Sequence, residues 1–227
     1  STDDGGAPYF NNGQFVLNEV CGYDCCSTYT GSVSSLGQFA CMYASSDVSN
    51  KNYVNYSSIA RCVKDNSNAY STMSHSNGKI FYPSVNISMN KCYRRTILCC
   101  PSSDSNSVTC SLSYSSFTDN IATSETCIWL NNGGANYEIK SCNILRNTIT
   151  SASYGAIRSD GNLMIEDSCI LENKANCIFY ACSSYIITLS KCTVDSTSKY
   201  GNVVTQNIVT KSFILALNHM STRNCHS

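Results

Sequence analysis

The chain has few charges and no excess of either sign. Only 13% of its 227 residues are Asp, Glu, Lys or Arg, and 15 basic residues balance 15 acidic ones. No long run of Lys or Arg is present that could neutralise successive phosphates. We therefore expect no nucleic-acid partner.

Long apolar runs are also missing. No stretch approaches the roughly 18 apolar residues that a membrane-spanning helix needs. The chain starts at Ser1 without the basic and apolar regions of a signal peptide. We expect a mature or excised fragment without a membrane segment, so that any signal peptide or anchor lies outside it. Sustained helical periodicity is absent too, which predicts few and short helices.

Metal-binding patterns are equally scarce. The three His residues, His75, His219 and His226, are far apart in sequence or lack partners, and none forms a His-x-x-x-His or Cys-x-x-Cys arrangement. We therefore expect no metal site, no cofactor and no catalytic residues.

An internal repeat is the strongest feature that the sequence does contain. Its template is apolar-x-apolar, two or three polar residues, a small apolar residue, x, apolar, and residues 137–144, 163–171 and 187–194 are its clearest copies. Eight copies fit. We expect their third template positions to form a ladder in the core: Val20, Ile59, Cys92, Ser115, Cys142, Cys169, Cys192 and Met220.

A second apolar strand precedes each copy, such as Ile80–Tyr82 before the copy that starts at Ile87, and Val203–Val204 before the copy that starts at Leu215. Short strands at this period, stacked about 4.8 Å apart, predict an all-β fold, a right-handed parallel β-helix of about eight coils and roughly 38 Å length. The weaker alternatives are a leucine-rich repeat and a β-sandwich. We expect one domain over residues 1–227, with loop insertions near 21–37 and 62–78 that suit recognition through Tyr or serve only as solvated loops.

Asn residues close several copies at the point where the chain must turn. Asn tolerates left-handed backbone angles, and stacked Asn side chains can form a ladder along a solenoid. The sequence predicts such a turn ladder at Asn120, Asn147 and Asn173, with Asn224 as a weaker member. The alternative is ordinary loop Asn.

Two motifs carry a resemblance to known families. Phe117-Thr-Asp-Asn120 has the form Phe-x-x-Asn, and Gly133-Gly134-Ala135 has the form Gly-Gly-Ala. Over residues 108–196 the chain resembles the β-helix passenger domains of bacterial polymorphic outer-membrane proteins and is similar to trichomonad β-helix surface proteins. The resemblance implies a cell-surface or secreted protein with adhesive or structural duties and no established catalytic centre.

Cysteine is abundant, with 16 residues. Such usage favours an oxidising, extracellular setting, although free thiols stacked in a narrow core would enrich Cys equally well. Inward packing is expected for Cys92, Cys142, Cys169 and Cys192. Disulfides that staple loops are the expectation for a secreted protein at Cys21, Cys25, Cys26, Cys99 and Cys100, which lie in or beside the insertions.

Two N-glycosylation sequons support a location outside the cell, at Asn55-Tyr-Ser57 and Asn86-Ile-Ser88. Strand alternation predicts that both Asn side chains point outward, because Val54, Tyr56 and Ile87 are assigned to the core.

Two functional hypotheses follow. The first is a non-enzymatic extracellular β-helix that acts in adhesion or as a structural rod, with a cell-surface protein or glycan as its partner, or with copies of itself stacked end to end into filaments. The second is a carbohydrate-active enzyme, a polysaccharide lyase or hydrolase, built on Asp160, Glu166 and Asp167 beside Arg158. It requires at least two of these carboxylates to share a groove.

Overall fold

The computed structural model describes residues 8–25, 37–62, 70–150 and 154–209. In these ranges the chain forms 26 strands and no helix. The strands belong to four sheets, and their pairings are parallel. Polar and β-branched residues alternate in short runs between turns, which is the composition that favours strands of this length.

Sheet 1 contains eight strands, in the order β1 (Tyr9–Asn11), β4 (Ala40–Tyr43), β7 (Ser71–Ser76), β11 (Arg95–Cys100), β15 (Thr126–Leu130), β19 (Ile157–Ser159), β22 (Phe179–Ala181) and β25 (Lys199–Tyr200). Sheet 2 also contains eight, in the order β2 (Phe15–Asn18), β5 (Lys51–Asn55), β8 (Lys79–Pro83), β12 (Asp104–Ser113), β16 (Ala135–Lys140), β20 (Asn162–Glu166), β23 (Ile186–Ser190) and β26 (Asn202–Gln206).

Sheet 3 contains seven strands, in the order β3 (Cys21–Tyr23), β6 (Ser58–Ala60), β9 (Asn86–Ser88), β13 (Ser116–Thr118), β17 (Asn143–Leu145), β21 (Cys169–Leu171) and β24 (Thr193–Val194). Sheet 4 is a short side sheet of three strands, in the order β10 (Lys91–Cys92), β14 (Ile121–Ala122) and β18 (Thr148–Ile149).

Consecutive strands pass through sheets 1, 2 and 3 in turn, so each strand pairs with its counterpart one coil later. The all-β parallel solenoid predicted from the repeat is confirmed. Alternate residues of each strand point into one continuous core. In β20, for example, Leu163 and Ile165 are buried, whereas Met164 between them is 44% exposed. Burial of each such aliphatic side chain stabilises the fold by roughly 1.5–3 kcal/mol.

The corners between sheets 2 and 3 use a left-handed backbone residue that is not glycine. Tyr114 (φ 51°), Ser141 (φ 52°) and Asp167 (φ 49°) occupy this corner in successive coils. The backbone N–H of each donates to a carbonyl of the next coil, as from Tyr114 to Lys140 O at 3.0 Å. Inter-coil hydrogen bonding therefore continues through the turn and offsets the cost of the strained conformation.

The predicted Asn ladder lies at the end of sheet 3. Asn120 Nδ2 donates to Asn147 Oδ1, and Asn147 Nδ2 donates to Asn173 Oδ1, both at 3.0 Å. Asn90 adds a rung on the other side, since its Nδ2 donates to Asn120 Oδ1 at 3.0 Å. Each Nδ2 also donates to a core carbonyl of the preceding coil, as from Asn120 to Ile87 O at 2.8 Å. The column satisfies buried polar groups at every turn.

Two details of this ladder differ from the sequence-based expectation. The left-handed residue is the one before each Asn, namely Met89, Asp119, Arg146 and Glu172, so the Asn side chain caps the turn that its neighbour makes. Asn90 was missed although Ile87-Ser-Met-Asn90 has the same spacing as Phe117-Thr-Asp-Asn120. Asn224 lies outside the described residues.

The residues of the predicted core ladder do not form a single column. One column, at the corner directly before the strands of sheet 3, contains Val20, Ser57, Val85, Ser115, Cys142, Ser168 and Cys192, as the pairing of those strands shows. Ile59 lies in β6, Cys169 begins β21 and Cys92 lies in β10 of sheet 4. Met220 lies outside the described residues. Three faces of each coil send small or apolar side chains inward, so spacing alone did not identify the face.

Two strands were also assigned to the wrong sheet. Ile80 and Tyr82 lie in β8, which belongs to sheet 2 and pairs with β12, whereas Ile87 lies in sheet 3. Val203 lies in β26, which belongs to sheet 2 itself, and not in the separate strand that the repeat predicts before sheet 2. Within the ranges predicted as insertions, β3 lies in 21–37 and β7 lies in 62–78. Residues 26–36 and 63–69 lie outside the described residues.

A buried His is part of the core between sheets 1 and 2. His75 is fully buried, and its Nδ1 lies 2.7 Å from Asn52 Oδ1. Asn52 Nδ2 donates to backbone carbonyls of Met42, Ser76 and Asn77, so the Oδ1 accepts and His75 carries its proton on Nδ1. Burial lowers the pKa of His75 to about 3, because the charged ring would lose its hydration.

We predict that Asn120→Ala lowers the free energy of unfolding by about 2–4 kcal/mol, because Asn90 N–H and Ile87 O each lose their buried partner. Urea denaturation followed by circular dichroism measures the change. The control is Asn173→Ala, whose half-buried side chain is accessible to water and should cost about half as much. Equal or negligible losses for the two variants would contradict the ladder's role.

We also predict that the protein loses stability in mild acid because of His75. Its folded pKa lies below the unfolded value of about 6.5, so the unfolded chain binds the extra proton as the pH falls through 6.5. The loss from this group is about 2 kcal/mol between pH 6.5 and 5. Urea unfolding at several pH values should show a flatter profile for His75→Gln than for the wild type. Parallel profiles would show that His75 is not the titrating group.

Candidate functional site

A groove of about 360 Å³ lies on the outer face of sheet 2. It spans the coils of β12, β16, β20 and β23. Its lining consists of Val108, Asn136, Tyr137, Asn162, Leu163, Met164, Ile186 and Thr188. Among these residues, Val108, Met164 and Ile186 are 37%, 44% and 43% exposed. Exposed apolar side chains grouped in a concavity are typical of a binding site.

The groove follows from two outward columns of sheet 2. Val108 pairs with Asn136, which pairs with Asn162, and the Ile186 N–H donates to Asn162 Oδ1 at 3.1 Å. The second column contains Met164 and Thr188 in direct register. The register of β12 shifts on both sides of Val108, and such a bulge re-aims the side chain at its position.

Amides and apolar groups supply the chemistry of the groove. Asn136 Nδ2 donates to Ser105 O at 2.8 Å, which leaves its Oδ1 to accept a hydrogen bond from a ligand. Asn162 accepts through Oδ1, which leaves its Nδ2 to donate. Tyr137 lies beneath them, 2% exposed, and donates to Asn132 O at 3.2 Å. Burial raises the pKa of Tyr137 above its ordinary value, so the phenol stays neutral.

Several charged side chains lie on the same strands as the groove and are held by neighbouring polar groups. Glu166 Oε2 is 3.2 Å from Lys140 Nζ, and Glu166 Oε1 is 3.5 Å from Lys191 Nζ. The Lys140 hydrogen bond holds the pKa of Glu166 below its ordinary value, so Glu166 is ionised at neutral pH. Glu138 Oε2 accepts a hydrogen bond from Ser111 at 3.1 Å. Glu138 is in direct register with Met164, so charged side chains lie beside the groove, although none of its eight lining residues is charged.

The three carboxylates of the enzyme hypothesis lie at different places. Asp160 follows β19 of sheet 1 and binds Arg158 Nε and Trp129 Nε1, both at 3.0 Å. Glu166 ends β20 of sheet 2, and Asp167 is the left-handed corner residue after it. Asp160, in the connection between β19 and β20, and Glu166, at the end of β20, thus each make separate ion pairs, and neither lines the groove.

A column of aromatic and Arg side chains lies on the outer face of sheet 1. Trp129, Arg158, Tyr180 and Tyr200 share one register position. The Arg158 guanidinium lies 4.0 Å from the Trp129 ring centroid, and the Tyr180 and Tyr200 rings stack at 4.5 Å. Tyr200 ends the column and is 59% exposed. Cation–π contacts and ring stacking rigidify this face.

The two glycosylation candidates were both expected to point outward, but they differ in burial. Asn86 is 8% exposed, and its Nδ2 donates to Ser58 Oγ at 3.1 Å and to Ser88 Oγ at 3.2 Å. Asn55 is half-buried at the end of β5. Tyr56, which was expected to face the core, is 59% exposed and left-handed, because the chain turns the corner there and strand alternation ends.

The Cys residues are mostly buried thiols. Burial raises the pKa of Cys142 and of Cys127 to about 12, so these thiols stay protonated and pack as small apolar groups. Cys99, which was assigned beside an insertion, is fully buried in β11. Cys21 is disulfide-bonded.

No group of three or more His, Cys, Asp or Glu residues in the described ranges could hold a metal ion. The same part of the chain contains no helix long and apolar enough to cross a membrane.

The groove was not predicted from the sequence, because the repeat template describes the inward positions of each coil. The outward residues Met164 and Thr188 form one side of the groove, and Asn162 and Ile186 form the other. The signal was available, since the same alternation places a second outward residue two positions earlier in each strand.

We predict that Asn55 accepts N-linked glycan in a eukaryotic secretory host and that Asn86 stays bare, because a glycan on Asn86 Nδ2 would displace its two buried hydrogen bonds. Intact mass before and after glycosidase treatment measures occupancy. Asn55→Gln should abolish the mass shift, whereas Asn86→Gln should leave it unchanged. The opposite pattern would contradict the placement of these two side chains.

Comparison with known proteins gives no relative: no protein-family model, no curated protein and no solved structure matches this chain.

Proposed function

We propose that this protein is a non-enzymatic extracellular adhesin-like rod that binds an uncharged polysaccharide in the groove on sheet 2. The observation that carries the proposal is the lining of the groove, whose eight residues include no Asp, Glu, Lys, Arg or His. A groove without an ionised acid or base at its floor supports binding better than glycoside cleavage, which needs two carboxylates across the scissile bond.

The lining matches the two kinds of surface that a sugar ring presents. Met164, Ile186 and Val108 offer apolar contact for the C–H face of a pyranose. Asn136 Oδ1 and Asn162 Nδ2 offer an acceptor and a donor for its hydroxyl groups. A charged sugar would lose hydration here without gaining an ion pair, which favours a neutral ligand.

The repeat suits an extended ligand rather than a single sugar. Successive coils place equivalent side chains about 4.8 Å apart along the rod. The columns that line the groove therefore run along the rod, and an extended polymer in the groove contacts several coils. Because the strands are held rigidly by pairing on both sides, little ordering of the protein opposes binding.

Two further observations support an extracellular protein that recognises a partner. The disulfide of Cys21 requires an oxidising setting in most organisms. The outer face of sheet 1 carries Tyr180 and Tyr200 in a rigid stack, and rigid aromatic side chains are frequent at recognition surfaces. These features fit an adhesive or structural rod on a cell surface.

The test is affinity gel electrophoresis of the full chain through gels that contain soluble β-glucan, mannan, pectate or hyaluronan. We predict retardation by at least one of the two neutral polymers and none by the two acidic ones. Met164→Glu should weaken retardation at least tenfold, because it introduces an unpaired carboxylate into the groove.

Val16→Glu is the matched control. Val16 is 49% exposed in the same outward column, at the opposite end of sheet 2, and its substitution should leave retardation unchanged. Absence of retardation by every neutral polymer tested, preference for the acidic polymers, or equal losses for Met164→Glu and Val16→Glu would each overturn the proposal.

A further inference from the structure

Two Cys residues occupy the first two places of the column that the Asn ladder continues. Asn90 and Asn120 stand three residues after Ile87 and Phe117, which pair across sheet 3. Cys25 and Cys62 stand three residues after Gly22 and Ile59, which pair in the same way, and Ile59 pairs in turn with Ile87. The column therefore runs, coil by coil, through Cys25, Cys62, Asn90, Asn120, Asn147 and Asn173.

The backbone around these Cys residues is that of the Asn rungs. Asp24 (φ 50°) and Arg61 (φ 55°) adopt the left-handed conformation that Met89 (φ 56°) adopts before Asn90. The Cys62 N–H donates to Asn90 Oδ1 at 2.9 Å, just as the Asn90 N–H donates to Asn120 Oδ1 at 3.1 Å. Cys25 and Cys62 are therefore successive rungs of one ladder.

We propose that Cys25 and Cys62 are a disulfide site, whose bond replaces the amide hydrogen bond of the other rungs with a covalent link between two coils. The two side chains are already in contact through their thiols. Equivalent positions on adjacent coils lie about 4.8 Å apart, within the Cα separation of 4.4–6.8 Å that disulfides span. Both thiols are free in this structure.

The surroundings favour reaction at this pair over the other thiols. A hydrogen bond from Cys62 lowers the pKa of Cys25 to about 6, so Cys25 is largely a thiolate at neutral pH. Cys25 is also partly exposed, whereas Cys62 is buried behind it. A thiolate that solvent can reach, with a second thiol in contact, is the arrangement that thiol–disulfide exchange needs.

The chemistry balances with a small disulfide, such as oxidised glutathione, as the electron acceptor. The Cys25 thiolate attacks one sulfur of the reagent and releases the other as a thiolate, which leaves a mixed disulfide on Cys25. Cys62 loses its proton and attacks Cys25 Sγ, which expels the second reagent thiolate. Two protein thiols become one disulfide, and the reagent is reduced to two thiols that carry the two protons.

The chain contains its own negative control in Cys142 and Cys192. These two thiols share a column at another corner, but Ser168 stands between them. They are therefore two coils apart, roughly 9.6 Å, which exceeds the reach of a disulfide.

The experiment treats the full folded chain with oxidised glutathione, alkylates the remaining thiols in denaturant and maps linked peptides by mass spectrometry. We expect a Cys25–Cys62 linked peptide in the wild type and in Cys142→Ser, and none in Cys62→Asn, while Cys142 and Cys192 are recovered alkylated. Recovery of both Cys25 and Cys62 as alkylated thiols, or of Cys25 joined to glutathione or to another Cys of the wild-type chain, would overturn the proposal.

A second variant separates the covalent link from a general effect on folding. Cys25→Asn/Cys62→Asn extends the amide ladder through both coils without a disulfide. A reductant should lower the Tm of the oxidised wild type by about 5 °C and shift the double variant by clearly less, since the double variant lacks the Cys25–Cys62 link but keeps the disulfide of Cys21. Equal shifts in the two proteins would show that the Cys25–Cys62 link is absent.

Discussion

Inter-coil hydrogen bonding in register is the constraint on which the rest of this structure depends. A solenoid coil cannot bury its own apolar face, so each coil is stable only against its neighbours. The strands supply most of these bonds, but the corners would interrupt them. Left-handed residues such as Ser141 donate across the corner between sheets 2 and 3, and Asn side chains bridge the turn after sheet 3. Pairing therefore continues at the main turns of each coil.

This constraint also decides where function can lie. Inward positions are occupied by core side chains, and backbone groups are occupied by pairing, so only outward side chains are free to vary. On sheet 2 the outward columns combine amides with apolar groups and form a groove, whereas on sheet 1 they form the stack of Trp129, Arg158 and Tyr180. One scaffold thus presents two chemically different faces without any change in the core.

The abundance of Cys has two physical explanations in the same molecule. Thiols such as Cys142 and Cys192 fill narrow corner positions, where each Sγ lies within hydrogen-bond distance of two backbone carbonyls and can donate its one proton to either. Cys25 and Cys62 stand instead where the column continues as Asn, and their thiols touch. Two Cys residues come into contact only when they occupy the same position in adjacent coils. Cys25 and Cys62 do so, whereas Cys142 and Cys192 are separated by Ser168 and only pack.

The sequence by itself determined the fold class, the approximate repeat and most of the Asn ladder, because these depend on local alternation and on turn residues that recur at a near-constant spacing. Asn120, Asn147 and Asn173 could be named for that reason. It did not determine which face each inward residue occupies, so Ile59, Cys92 and Cys169 were placed in one column although they lie in three. Only the tertiary structure decided the groove and the contact between Cys25 and Cys62, since both depend on the register between coils of unequal length: neighbouring rungs are 28, 30, 27 and 26 residues apart, and a shift of one residue turns a side chain from the core to the surface.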